Sequence, residues 1–60
     1  MRRLDRIRPI IEAVQIYWEE NQDLRLMQLL LNACALTTID PYYIEDEGLM
    51  ELLRRMYDKR

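Results

Sequence analysis

Residues 23–36, Asp-Leu-Arg-Leu-Met-Gln-Leu-Leu-Leu-Asn-Ala-Cys-Ala-Leu, restrict the folds open to this chain more than any other stretch. Leu24, Met27, Leu30, Leu31 and Cys34 recur at helical spacing. Leu26, Leu29, Ala33 and Leu36 widen that stripe to most of the circumference. A helix apolar nearly all round has to be covered from more than one side. The segments before and after it are therefore expected to be its cover.

Both flanks read as helices. Leu4, Ile7, Ile10/Ile11, Val14 and Tyr17/Trp18 step by three and four, the period of one helical face. Pro9 fits the first helical position, where a missing N–H costs nothing, so the first helix is expected over residues 8–20. Ile16 lies off the stripe and is a candidate exposed apolar residue. Asn21 suits the left-handed cap that ends a helix, and Asp23 suits the N-cap of the next. The central helix is expected over 23–36. Residues 37–45 carry Thr37-Thr38 and Asp40-Pro41, which favour leaving a helix and turning, so they read as an irregular connection. Asp46 is expected to cap a third helix, residues 46–58, with Glu47 at its positive end. Leu49, Leu52, Leu53, Met56 and Tyr57 give it the cleanest stripe in the chain. The expectation is an all-α, compact three-helix domain spanning residues 1–60, with Leu30 or Leu31 as core anchor.

Sixty residues hold a single small core, and a chain of that size buries only about 60% of its unfolded surface. Small scaffolds usually add a staple. One cysteine excludes an internal disulfide, and without histidine there is no familiar zinc ligand set. Half the residues are apolar, so some of that surface is expected to meet another chain, first of all a copy of itself. No run of 18 or more apolar residues suggests a membrane span, and no apolar run follows the basic start as in a secretory signal. A lone cysteine also fits a reducing compartment, and the expected location is cytoplasmic.

The formal charge of -2 conceals a segregation. Residues 1–8 hold four arginines and one aspartate; residues 37–51 hold five carboxylates and no basic residue. Residues 52–60 return to a local excess of +3. Basic ends and an acidic middle can neutralise each other within one fold or between copies.

A third group of residues carries a resemblance. Trp18 stands five residues before Asp23-Leu24-Arg25-Leu26, followed by Gln28-Leu29 and Asn32; further on come Tyr43-Ile44-Glu45-Asp46 and Leu49. Together they resemble the YihD-like group of short bacterial and phage-borne proteins. Gln22 stands where that pattern has proline, and Met27 where it has glycine. The resemblance supports the segmentation and implies no activity.

The chemistry-bearing residues favour binding over catalysis. Cys34 has no histidine to activate it and apolar neighbours in sequence, so it reads as a small core residue. Glu45-Asp46-Glu47 reads either as a capping cluster or as a surface attracting a basic partner. Its consecutive carboxylates lack the alternate spacing of a calcium loop. The only glycine, Gly48, leaves no phosphate-cradling loop. No metal, cofactor or catalytic residue is assigned. Nucleic-acid reading by the third helix is disfavoured, because its start is acidic; the arginines at 2, 3, 6 and 8 leave a weak accessory role through the N-terminal arm. Every aromatic carries a polar handle, there being four tyrosines, one tryptophan and no phenylalanine. The candidate partner-binding residues are Tyr42, Tyr43, Glu45 and Glu47 on the acidic loop, with Ile16 and Trp18 at the end of the first helix. The functional expectation is a self-associating protein-interaction module whose target has a basic surface. A phage or mobile-element inhibitor occluding a host defence protein is an alternative form of it.

Overall fold

A computed structural model describes residues 4–58. Three helices are present: α1 (Ile7–Glu19), α2 (Leu26–Cys34) and α3 (Asp46–Tyr57). A 3-10 turn, Leu4–Arg6, leads into α1, and a second, Pro41–Tyr43, interrupts the connection between α2 and α3. No strand occurs among the described residues. The all-α three-helix expectation holds, with the central helix shorter than expected at both ends.

The local reasons are legible in the turns. After α1 the backbone stays right-handed, and Asn21 closes the helix with its side chain, its Nδ2 donating to the Tyr17 carbonyl at 2.8 Å. The expected left-handed cap at Asn21 is absent, since no described residue has positive φ. A further turn, Leu24 N–H to the Asn21 carbonyl at 3.1 Å, consumes the position where Asp23 was expected to cap. The N-cap of α2 is instead Arg25, in extended conformation. Gln28 folds back so that its Oε1 accepts from the Arg25 N–H at 2.8 Å. Arginine has no acceptor of its own, so this is one half of a capping box. Trp18 ties the turn to α1 by donating its indole N–H to the Leu24 carbonyl at 2.8 Å.

The second connection follows the same logic. Asp40 accepts from the Tyr42 N–H at 2.9 Å, and Pro41 opens the short turn with its φ already set. Asp46 does not cap α3. The N-cap position belongs to Glu45, and Asp46 in the first turn accepts a charge-assisted hydrogen bond from Arg6. The N-terminal arm and the acidic middle thus neutralise each other within one chain at this point.

The core is small: Leu29 and Ala33 from α2, and Leu52, Leu53 and Tyr57 from α3. Leu29, Ala33 and Leu53 have no exposed surface. The core anchor expected at Leu30 or Leu31 is corrected to Leu29: Leu30 packs only partly against the core, and Leu31 is 47% exposed. In a helix apolar all round, the sequence pattern cannot say which arc faces inward. Here the i, i+4 pair Leu29 and Ala33 does, because alanine lets α3 approach closely. Cys34 is half-buried beside Leu30 and Pro41, as a small filler.

α3 packs against both other helices, while α1 and α2 scarcely touch each other. Tyr57 joins all three. Its ring lies 6.1 Å from that of Tyr17 in α1, and its hydroxyl donates to the Leu29 carbonyl of α2 at 2.7 Å. Burial pushes the Tyr57 phenol above its ordinary 10.0, a hydrogen bond with Asn32 acting weakly the other way. α1 itself contributes no fully buried residue. It packs against the core through Val14 and Tyr17, and Ile10 and Ala13 are half-buried as well.

Two outcomes follow in chemical denaturation. Leu29→Ala should cost about 2–5 kcal/mol, comparable with the roughly 3–5 kcal/mol expected of so small a core, whereas Leu31→Ala should cost under about 1 kcal/mol. For Tyr57, the raised native value means that the neutral phenol is favoured in the fold. Its contribution is complete below about pH 10, the unfolded value, and disappears as pH climbs through the native value. Melts recorded from pH 8 upward should show a steeper alkaline loss in the wild type than in Tyr57→Phe. At neutral pH the same substitution should cost about 0.5–1.5 kcal/mol for the lost hydrogen bond.

Candidate binding surfaces

The six residues expected to bind a partner do not form one surface. Tyr42 and Tyr43 stand on the 3-10 turn at 86% and 71% exposure, their rings stacked edge-on at 5.0 Å. Glu45 joins Tyr43 along a shallow depression that also takes in Ile39 and Arg55. Glu47 lies two residues further on, in the first turn of α3, and borders a different cleft, between Ala13 and Tyr17 of α1 and Arg54 of α3. Arg54 there pairs with Glu51. Asp46, between the two glutamates, is held by Arg6. The acidic run is therefore divided among three surroundings. Among the described residues no group of three or more His, Cys, Asp or Glu is placed to hold a metal ion.

Ile16 and Trp18 separate as well. At about 100° per residue, two positions apart on a helix means nearly opposite sides. Ile16 sits alone on the outer side of α1, 47% exposed. Trp18 turns toward α2 and lines a groove of about 540 Å³. Its floor is Ile11, Val14, Trp18 and Leu26. Gln15, Glu19 and Gln22 form the rim, where the Gln15 amide donates to Glu19 at 3.0 Å.

This groove was missed by sequence reasoning, although its signal was present. Ile10/Ile11 and Tyr17/Trp18 are adjacent pairs, and adjacent residues on a helix diverge by about 100°. One member of each pair, Ile10 and Tyr17, is half-buried, and Tyr17 packs against the core. The other members, Ile11 and Trp18, line up with Ile7 and Val14 within an arc of roughly 60°. α1 thus has two apolar faces, and the fold covers one. Ile7, Ile11 and Trp18 all remain exposed, Ile11 at 58%. The groove exists because α1 and α2 are each held by α3 and not by one another.

Trp18 enters the groove with its polar atom already satisfied. The indole N–H is bonded to the Leu24 carbonyl, so the ring offers an apolar face with no donor left to desolvate. No described helix is long and apolar enough to cross a membrane. Comparison with protein-family models, curated proteins and solved structures finds no match to this chain. The resemblance to the YihD-like group accordingly rests on the sequence residues alone.

The exposure of the tyrosine pair makes one consequence measurable. Tyr42→Ala combined with Tyr43→Ala should leave the melting temperature within about 2 °C of wild type, since surface substitutions usually fall within ±0.5 kcal/mol. A large drop in a circular-dichroism melt would assign the pair a packing role instead of a contact role.

Proposed function

We propose that the protein is a small protein-interaction module without catalytic activity, which works by presenting apolar side chains to another polypeptide. The observation that carries this reading is the groove between α1 and α2, with Ile11, Val14, Trp18 and Leu26 as an exposed, almost wholly apolar floor. A soluble monomer gains nothing from such a surface, and contiguous exposed apolar patches mark sites of interaction. The tryptophan supports the same reading, being the residue type most enriched at binding hot spots. The acidic loop with Tyr42, Tyr43 and Glu45 is a second, separate contact, suited to steer a basic target by charge while the tyrosines supply contact area.

Occlusion of a host protein by a phage or mobile-element inhibitor is a special case of this binding function. A cytoplasmic setting belongs to the same proposal, on the strength of the single cysteine and the charged surface. The accessory nucleic-acid role is the weaker reading. Of the basic arm, Arg6 is already committed to Asp46, which lowers the positive charge available to phosphate.

The test uses α1 as its own control. With the tagged chain as bait, any bound polypeptide should be recovered by the wild type, an untagged copy of the chain included. Ile11→Asp should abolish that recovery by placing a charge in the groove. Ile16→Asp, on the opposite side of the same helix, should leave it unchanged. Both side chains are exposed, so both variants should melt close to wild type. Equal loss in the two variants, or loss in neither, would remove the groove from the function.

A further inference from the structure

The occupant of the groove can be read from α1 itself. We infer that this face pairs with the same face of a second copy, the two α1 helices running antiparallel. The inference rests on the reading of the protein as an interaction module and names the partner.

The first ground is spacing. Leu4, Ile7, Ile11, Val14 and Trp18 follow one another at intervals of three, four, three and four residues. That is the seam of a heptad repeat, the pattern with which one helix meets another at a shallow angle. The fold covers this seam only in part: Val14 packs against the core and Trp18 is tied to the Leu24 carbonyl, while Leu4, Ile7 and Ile11 stay exposed. The uncovered part of the seam calls for a helix from outside.

The second ground is self-complementarity. In a two-fold pair each contact occurs twice, so the face must match itself. Set antiparallel, Ile11 falls opposite Val14 of the second copy, and Ile7 opposite Trp18 of the second copy. Each layer then joins a β-branched side chain to another apolar one, with Leu26 closing the edge from α2.

Charge fixes the direction. On the flank beside the seam, Arg8 stands near the start of α1 and Glu19 at its end. Arg8 is exposed and has no ion pair among the described residues. A parallel pair would set Arg8 against Arg8 and Glu19 against Glu19. An antiparallel pair sets each arginine beside the glutamate of the other chain and also opposes the two helix dipoles. Burial of the Trp18 ring strands no donor, because its N–H is bonded internally. The seam is short, so the dimer is expected to be weak, with a Kd on the order of micromolar.

Sedimentation equilibrium of the full chain across the micromolar range, with Trp18 emission recorded in parallel, tests the pairing. Trp18 is the single tryptophan, so its emission should shift to the blue as dimer forms. Ile11→Asp should weaken dimerisation at least about 100-fold while the circular-dichroism spectrum is retained. Arg8→Glu and Glu19→Arg should each weaken it about tenfold, and the two combined should restore affinity to within a few-fold of wild type. Arg8 and Glu19 lie about 16 Å apart along one helix, too far to pair within a chain, so rescue can arise only between chains. A wild type that stays monomeric overturns the inference, as does a dimer indifferent to Ile11→Asp. A dimer that the double reversal fails to restore overturns the antiparallel arrangement. If the chain is monomeric yet recovers another polypeptide through Ile11, only the self-pairing falls. If nothing recovered depends on Ile11, the interaction reading of the groove falls with it.

Discussion

The buried phenol of Tyr57 is the contact on which the arrangement of the three helices depends. Among the described residues five are buried, and of these only Tyr57 carries a polar side-chain atom into the core. A hydroxyl removed from water has to find a partner, or its desolvation costs about 1–3 kcal/mol. Tyr57 finds the Leu29 carbonyl, and so fixes α3 along α2 at a specific depth. The other side of the molecule is set by its ring, against which Tyr17 brings α1. The angle between α1 and α2 is thus decided through α3. A groove remains between two helices that are both well placed and do not meet.

Electrostatics and apolar surface divide the exterior between them. The Arg6–Asp46 contact removes one charge from each end of the segregated pattern and pins the approach to α1 against the start of α3. Of the rest of the acidic run, Glu45 lies beside the tyrosine turn and Glu47 in the cleft between α1 and α3, both on other surfaces than the groove. An apolar surface gives affinity without direction, whereas charge gives direction at little affinity. The molecule keeps the two on separate surfaces.

The helices were legible in the sequence because each carries a signal that physics reads locally. Leu49, Leu52, Leu53 and Tyr57 point one way on α3, and Leu52, Leu53 and Tyr57 are indeed buried there; Met56, on the edge of the same stripe, stays exposed. The errors lie where local rules compete. Asp23 and Asp46 are good caps by type, yet a preceding turn displaced the start of α2 by two residues, and Arg6 drew Asp46 into an ion pair. Leu29 was hidden among the four leucines of α2, a helix apolar on most of its circumference. Of the residues lining the groove, Trp18 was among the expected partner-binding residues and Ile11 was not. A single stripe had been drawn through two apolar faces, and only the position of α3 divides them. That division is a tertiary fact, so no window of sequence contains it.

The absence of any fully buried residue on α1 has an energetic side. Its attachment to the α2–α3 unit rests on half-buried contacts, the Tyr17–Tyr57 ring pair, the Trp18–Leu24 hydrogen bond and the Arg6–Asp46 pair, so α1 is the helix expected to open first in sub-global unfolding. The seam, however, lies on that same helix, and the groove floor is complete only while α1 is docked beside Leu26. Whatever occupies the groove therefore binds the closed form and not the opened one. By linkage, each tenfold excess of occupant over its dissociation constant adds about 1.4 kcal/mol to the closing of α1. Under the proposed pairing, the helix with no fully buried residue would have its attachment set by the concentration of its partner.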